Sequence, residues 1–182
     1  NIHIGLFDPN LYEPEFFDYV TMDQVLEHMV NPLLTIQGIS RILKPHGKLI
    51  ITTPNALGWG AKIFRKRWIH WHAPYHLHFY SRHSLEYLAN QAGFEIIKHI
   101  TVTHSGWLNM QCMHLITYPR KGEPSVFFGK HLAHVNKLSV NNNLLSVIGF
   151  FDKWRINDLI TRFFDLLNLG DNQVYILQKK EQ

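Results

Sequence analysis

Cysteine is almost missing from this chain. Cys112 is the one thiol in 182 residues, which excludes an intramolecular disulfide and any cysteine-rich metal site and suits a reducing compartment. A cytosolic location is the expectation. Long hydrophobic runs are missing too. The best of them, Leu144 to Phe151, is diluted by Ser146 and Gly149 and falls well short of the ~18 apolar residues of a membrane span, so no transmembrane helix is expected. The N-terminus has no basic region leading into an apolar run and a small-residue cleavage site, so no secretory signal is read there. An excess of one charge is also missing. Eighteen Lys and Arg against 14 Asp and Glu leave a net charge of +4, mild and scattered, which does not point to a nucleic-acid groove with its clustered basic face. Internal repeats and low-complexity tracts are absent. What remains, 46% hydrophobic and 18% charged residues, is the make-up of a globular domain with a true core. The length suits one domain, with room for a small appendage.

Along the chain, Phe16 to Met22 is a short aromatic and β-branched run after the turn-prone Pro9 to Pro14, and reads as a buried strand. From Gln24 to Leu43 the apolar residues Val25, Leu26, Met29, Leu33, Ile36, Ile39 and Leu43 recur at helical spacing. Asn31-Pro32 splits them into a half-helix and a full helix. Lys44-Pro45-His46-Gly47 is a stop and turn, and Lys48 to Thr53 a second short strand closed by Pro54-Asn55. Strand, helix, strand makes a right-handed parallel crossover. Ala56 to Ser81 reads as a long loop, aromatic and rich in histidine, of the kind that carries function. Ser81 is an N-cap for a helix through Leu85, Leu88 and Ala89 that stops at Gly93, and Phe94 to Val102 is a further strand. Two apolar helical stretches, Val126 to Val140 and Leu144 to Leu169, precede Gly170-Asp171 and a last strand, Gln173 to Leu177.

These motifs come in an order that resembles one family. Phe17-Asp18-Tyr19-Val20-Thr21-Met22, Val25-Leu26-Glu27-His28-Met29 with Asn31-Pro32, Ile42-Leu43-Lys44-Pro45-His46-Gly47-Lys48-Leu49, Thr53-Pro54-Asn55, His76-Leu77-His78-Phe79-Tyr80 and Ala92-Gly93-Phe94 are similar to the second half of a class I S-adenosylmethionine-dependent methyltransferase. The subgroup resembled is that of the ubiquinone-biosynthesis-like O-methyltransferases. The resemblance covers residues 1 to about 105, and residues 170–180 resemble the family's last strand. It implies an α/β fold: the C-terminal half of a Rossmann-like methyltransferase sheet, mostly parallel with an antiparallel last strand, and a helical insertion before that strand. Phe16 to Met22, Lys48 to Thr53, Phe94 to Val102 and Gln173 to Leu177 would be its strands four to seven. Strands buried on both faces fit such a sheet. The expected organisation is a single partial domain over 1–182, with core βα units in 1–105, a loop and helical insertion in 106–169 and the final strand in 170–182.

The glycine-rich turn that lets backbone approach the cofactor, and the acidic residue for its ribose, are not in the sequence. Gly58-Trp59-Gly60 follows the wrong strand and has Ile63 where a third glycine would fall. Two βα units of about 30 residues each would have to precede Asn1 to complete the sheet. The chain therefore reads as half a methyltransferase and is expected to bind S-adenosylmethionine weakly by itself.

Ligands of open α/β sheets lie beyond the carboxyl ends of the strands. That puts Met22, Asp23 and Gln24 in line for the cofactor, with a helix N-cap as the competing reading of Asp23. Glu27, His28, Asn55 and Tyr80 are candidates for binding the acceptor. In some ubiquinone-pathway relatives the Leu-Glu-His element helps hold a divalent metal with a glutamate three residues upstream. Here that position is Gln24, a poorer magnesium ligand, so no metal is expected, and Glu27 and His28 are expected to make hydrogen bonds fixing the helix to the loop. Thirteen histidines are present, and His70, His72, His76, His78 and His83 fall in one segment. Without a cysteine or carboxylate cluster, packing or surface roles outweigh zinc. His76 or His78 is placed by the family order where a neutral imidazole could take a proton from an acceptor. On an extended segment the two share a face, with Leu77 and Phe79 on the other, expected to anchor the loop on the core.

From Lys153 to Leu169, residues Trp154, Leu159, Ile160, Phe163, Phe164 and Leu167 form an apolar stripe, read as a helix packing on its own domain. Lys153, Arg155 and Arg162 leave a membrane surface open. The function expected is methyl transfer to an oxygen or nitrogen of a small or lipid-like acceptor within a longer protein. The alternative is a non-catalytic module. Self-association through an exposed sheet edge or the C-terminal amphipathic helix is also expected.

Overall fold

The computed structural model describes residues 2–72, 74–119, 146, 149–151 and 153–181. The helical stretch read at Val126 to Val140 lies outside them. Strand β1 (Phe17–Asp23) runs parallel to β2 (Leu43–Pro54), with Tyr19 opposite Lys48 and Asp23 opposite Thr52. Between them a 3₁₀ turn, Leu26–His28, leads into α1 (Pro32–Ile42). Helix α1 starts where Asn31 accepts the Leu34 N–H at 3.1 Å and Pro32 supplies a pre-set first turn. Its Ile36, Ile39 and Ile42 are buried, as the three-to-four-residue spacing requires.

Helix α3 (Arg82–Gln91) opens with a capping box. The Ser81 hydroxyl accepts from the Ser84 N–H at 3.2 Å, and the Ser84 hydroxyl accepts from the Ser81 N–H at 2.9 Å. Gly93, at φ +81°, turns the chain out of the helix in the left-handed region that a side chain resists. Then follow β3 (Phe94–Val102) and, at the end of the described residues, β4 (Asn172–Lys179). The sheet order is β1-β2-β4-β3. Strand β4 is antiparallel to β2, with Lys48 opposite Gln178 and Pro54 opposite Asn172. This is the expected α/β sheet with an antiparallel last strand.

Three expectations are corrected here. Lys44-Pro45-His46-Gly47 is not a loop ahead of β2 but a bulge inside it. The register slips between Phe17 and Tyr19, and His46 takes φ +61°, so turn chemistry is spent within the strand. Burial on both faces fails for β1, where Tyr19 is 61% exposed, because among the described residues β1 is an edge strand with one partner. The segment from Ala56 to Ser81 is not all loop. It contains α2 (Trp59–Phe64) and 3₁₀ turns at Arg65–Arg67 and Ile69–Trp71.

The chain divides into two compact units. One, residues 1–56, 75–101 and 172–182, holds the sheet and a core of Leu26, Ile36, Leu49, Ile51, Leu85, Phe94, Tyr175 and Leu177, with others. The second, residues 57–74 and 102–171, holds α2, α4 (Ser105–Ile116) and α5 (Ile156–Leu166). Its centre is polar. The Gln111 side-chain carbonyl accepts from the Ile69 N–H at 2.9 Å, and its amide donates to the Arg67 carbonyl at 2.8 Å. The Trp68 indole N–H reaches both carboxylate oxygens of Asp171 at 3.1 Å. Trp59 stacks on Phe164 at 4.7 Å. Only part of the apolar stripe read for α5 is packed: Ile160 and Phe164 are half-buried. Asn157 and Thr161 are buried while Leu159, Phe163 and Leu166 are exposed, since Asn157 donates to the Asn109 side chain at 2.8 Å and so turns its polar side inward.

Candidate functional site

The parallel strand β1 ends at Asp23, and the next residue, Gln24, turns sharply at φ +53°. Its N–H donates to the Thr52 carbonyl at 2.9 Å and its side-chain amide to the Asn172 carbonyl oxygen of the side chain at 3.0 Å. Gln24 is thus engaged in joining the ends of β1 and β4. Met22 is buried in the core cluster, and Asp23 is exposed. Asp23 caps no helix: the 3₁₀ turn is preceded by Val25 and α1 by Asn31, which removes the N-cap reading.

The 3₁₀ turn carries Glu27 into the interior. Its side chain is fully buried, and one oxygen, Oε2, accepts from the Thr53 hydroxyl at 3.1 Å across from β2. The other, Oε1, is buried with no hydrogen-bond partner among the described residues. Burial, with a smaller push from Asp23, holds the carboxyl pKa above its ordinary value, against a hydrogen bond from its own backbone, the Thr53 bond and the neighbouring His28. The turn also fixes the histidine segment. The Glu27 carbonyl accepts from the Leu77 N–H at 2.8 Å and the His78 N–H at 3.1 Å. That brings the His76 ring edge-on to the His28 ring, with centroids 4.6 Å apart. His28 Nδ1 lies 2.9 Å from the Tyr75 carbonyl.

His78 stacks on Tyr80 at 6.1 Å. Tyr80 is buried, bridges by backbone to the buried Asn55, and has its phenol pKa raised by burial and by Glu27. The structure therefore joins Glu27, His28 and His76 in one cluster and Asn55, His78 and Tyr80 in a neighbouring stretch, while Met22 packs in the core and Gln24 bonds to Thr52 and Asn172 at the strand end. The anchoring expected of Leu77 and Phe79 is reversed. They are 50% and 37% exposed, because the main-chain bonds to Glu27 and the ring contacts to His28 and Tyr80 hold the histidine face inward.

Sequence reasoning missed Gln173. Fully buried on β4, its amide donates to the Tyr80 carbonyl at 2.9 Å and the Pro54 carbonyl at 3.3 Å, while its carbonyl accepts from the Tyr175 hydroxyl at 2.8 Å. A glutamine directly before the apolar run Val174 to Leu177 was the available signal.

A model of the methyltransferase domain family matches residues 4–99 of the 182. The chain belongs to the methyltransferase domain family. Among solved structures, 130 chains match its fold. The 4+2 cyclase SpnF is 17% identical, with a TM-score of 0.53 over 98% of this chain and 56% of its own. A possible histamine N-methyltransferase from Thermotoga maritima is 17% identical, with 0.51 over 93% and 59%. Phosphoethanolamine N-methyltransferase 2 from Haemonchus contortus, solved with phosphomonomethylethanolamine and S-adenosylhomocysteine, is 19% identical, with 0.50 over 94% and 35%. The methyltransferase chain thus spans no more than 59% of the length of these structures. No curated protein matches it.

S-adenosylmethionine is the cofactor expected of this methyltransferase. The residues present do not make a complete site for it. The only Gly-x-Gly, at Gly58 and Gly60, is filled by the protein itself: a Cβ on Gly60 would collide with the Asp171 carboxylate and come within 2.8 Å of the Trp68 indole. No helix among the described residues is long and apolar enough to cross a membrane.

Proposed function

We propose that this methyltransferase chain is the acceptor-side half of a longer enzyme that moves the S-methyl group of S-adenosylmethionine to an oxygen or nitrogen of a small or lipid-like acceptor in the cytosol. The cluster of His76, His28 and buried Glu27 beyond the carboxyl end of β1 carries this reading, because that end of an open α/β sheet is where ligands bind. Glu27, His28, Asn55 and Tyr80 are assigned to acceptor binding, Met22, Asp23 and Gln24 to the cofactor side, and His76 or His78 to proton removal. The ubiquinone-like O-methyltransferases are the subgroup whose Leu-Glu-His element this chain resembles. Methyl transfer needs mainly in-line alignment, with a base as assistant.

The test is transfer of labelled methyl from S-adenosylmethionine by the full-length gene product to a panel of phenols, amines and lipid hydroxyls. Label should reach at least one class. Replacing His78 by alanine should lower turnover by about 10² to 10⁴-fold, the usual weight of a general base, with little change in cofactor affinity. No transfer across the panel, together with no cofactor binding by the full-length product, would return the chain to a non-catalytic module.

A further inference from the structure

We propose that a cavity at the amino end of the parallel strands, beside the last turns of α1 and α3, is a binding site for a small anionic metabolite of the phosphate monoester class. The cavity has a volume of about 540 Å³ and is lined by Glu15 ahead of β1, Gln37, Ser40 and Arg41 of α1, Gln91 at the end of α3 and Lys179 at the end of β4, with others. That size is usual for small-molecule sites. Strand β1 is 7 residues long, so the cavity lies about 20 Å from the histidine cluster beyond the other end of the sheet. It is a separate place from the acceptor site.

Two cations line it, and neither is fully used. Arg41 donates from Nη1 to the Pro9 carbonyl at 2.7 Å and to the Tyr12 carbonyl at 3.2 Å. Those bonds fix the guanidinium, while its Nε and Nη2 donors have no hydrogen-bond partner among the described residues. The Lys179 side chain is only 12% exposed; its Nζ donates to the Leu43 carbonyl at 2.9 Å and lies 3.6 Å from a carboxylate oxygen of Glu15, itself 56% exposed. A lysine so nearly buried needs a partner for its charge, and a long contact to a wet carboxylate is a loose one.

The sign of the ligand follows from what the helix ends leave over. Free carbonyls at helix C-termini repel anions, but here they are taken. The Glu15 N–H donates to the Arg41 carbonyl at 3.1 Å, the Phe16 N–H to the Ile42 carbonyl at 2.9 Å, and the Gly93 N–H to the Asn90 carbonyl at 3.2 Å. Side chains are left to set the potential, two cations against one acid, with Ser40, Gln37 and Gln91 as neutral hydrogen-bonding groups.

A fixed guanidinium fork beside an ammonium suits the several oxygens of a phosphate, and a phosphate monoester carries nearly two negative charges at neutral pH. Its charge matches the two cations. Glu15 adopts φ +56°, a backbone conformation disfavoured for a side chain, and from there its carboxylate reaches Lys179. An arriving phosphate takes that place on Lys179, and the Glu15 carboxylate, already exposed, turns to water.

The experiment uses the tag-free 182-residue chain, isotope-labelled for amide NMR, with glycerol 3-phosphate and inorganic phosphate as probes and glycerol as the uncharged control. Glycerol 3-phosphate should saturate a single site and move the amides of Arg41, Gly93 and Lys179; inorganic phosphate should compete at the same amides, and glycerol should move none. Arg41→Ala should weaken binding at least about tenfold, as loss of charge-assisted hydrogen bonds does. Gln91→Glu, at an exposed position, adds a second acid to the cavity wall and should weaken it about fivefold, whereas Glu15→Gln should strengthen it about two- to fivefold. Lys98→Ala, an exposed cation on β3 outside the cavity, should change nothing. Should Arg41→Ala fail to fold, the opposite signs of Gln91→Glu and Glu15→Gln decide. No saturable binding, shifts gathered at residues 22–28 and 75–80 instead, or binding unchanged in both Gln91→Glu and Glu15→Gln overturns the site. The site does not depend on the methyl-transfer reading, and no methyl transfer is measured, so the two fail separately.

Discussion

Asp171 shows what a single residue can impose on the pH dependence of the whole unit around it. Its carboxyl is pushed up to about 6, mainly by burial, against hydrogen bonds from the Trp68 indole and the Gly60 N–H, and with Asp165 adding repulsion. His70 Nε2 lies 3.7 Å from Oδ2. The unfolded chain would release this proton near pH ~3.9, so between the two values the folded state holds a proton that the unfolded state does not. That contribution is complete below about pH 4 and is lost as pH rises through 6. A shift of about two units is worth on the order of 3 kcal/mol. Asp171→Asn should therefore flatten the fall in unfolding free energy between pH 4 and 7, measured by urea denaturation across that range. A slope equal to that of the unmodified chain would show that the penalty lies elsewhere. At this scale the sequence told less than it seemed to. The alternation of His76 and His78 with Leu77 and Phe79 was readable, but not which side turns inward, since that is decided by the Glu27 carbonyl some fifty positions away. The burial of Glu27 was equally hidden, because it requires Thr53 of another strand.

Among elements, those that begin and end on their own chemistry were legible and those held by distant partners were not. The start of helix α3 was readable from Ser81 and its end, at Gln91, to within two residues from Gly93, while β3 was readable to the residue from its apolar and β-branched run. Helix α4 was not. Its Trp107, Leu108, Met110, Met113, Leu115 and Ile116 fall all around the helix, with Gln111 and His114 as its buried residues, so no apolar stripe announces it. Helix α2 is six residues long, too short for periodicity to register. The capping box of α3 carries a prediction of its own. Ser81→Ala removes the acceptor for the Ser84 N–H and should cost about 1 kcal/mol, seen as a lower denaturant midpoint with unchanged slope. Ser84→Ala, which leaves the Ser81 hydroxyl in place, should cost less. Equal losses would mean that the two hydroxyls act as one unit.

For the molecule as a whole, the antiparallel last strand followed from the resemblance of motif order, but the strand order β1-β2-β4-β3 was not read from the sequence, since periodicity says nothing of which strands pair. The interleaving of two units along one chain was invisible for the same reason. Among the described residues strand β1 lies at the edge of the sheet, with Phe16 and Tyr19 60% and 61% exposed. An uncovered edge offers its free main-chain groups to another strand. The 182-residue chain should therefore associate with itself as concentration rises, by sedimentation or light scattering. Tyr19→Lys, which puts a charge on that edge, should suppress the association. A monomer at all concentrations would show the edge to be protected.

The place of β4 has a consequence for how the protein comes into being. Residues 172–179 sit between β2 and β3, and β2 finds its second neighbour only there. On the ribosome, therefore, β2 and β3 are made before β4 and must wait, unjoined, through roughly seventy further residues of synthesis before the strand that links them emerges. Pairing over such sequence distance is slow, and strands left waiting are open to wrong partners. The nascent chain spends that interval as two half-finished surfaces, and the last strand acts on both at once, like the final tooth of a zip.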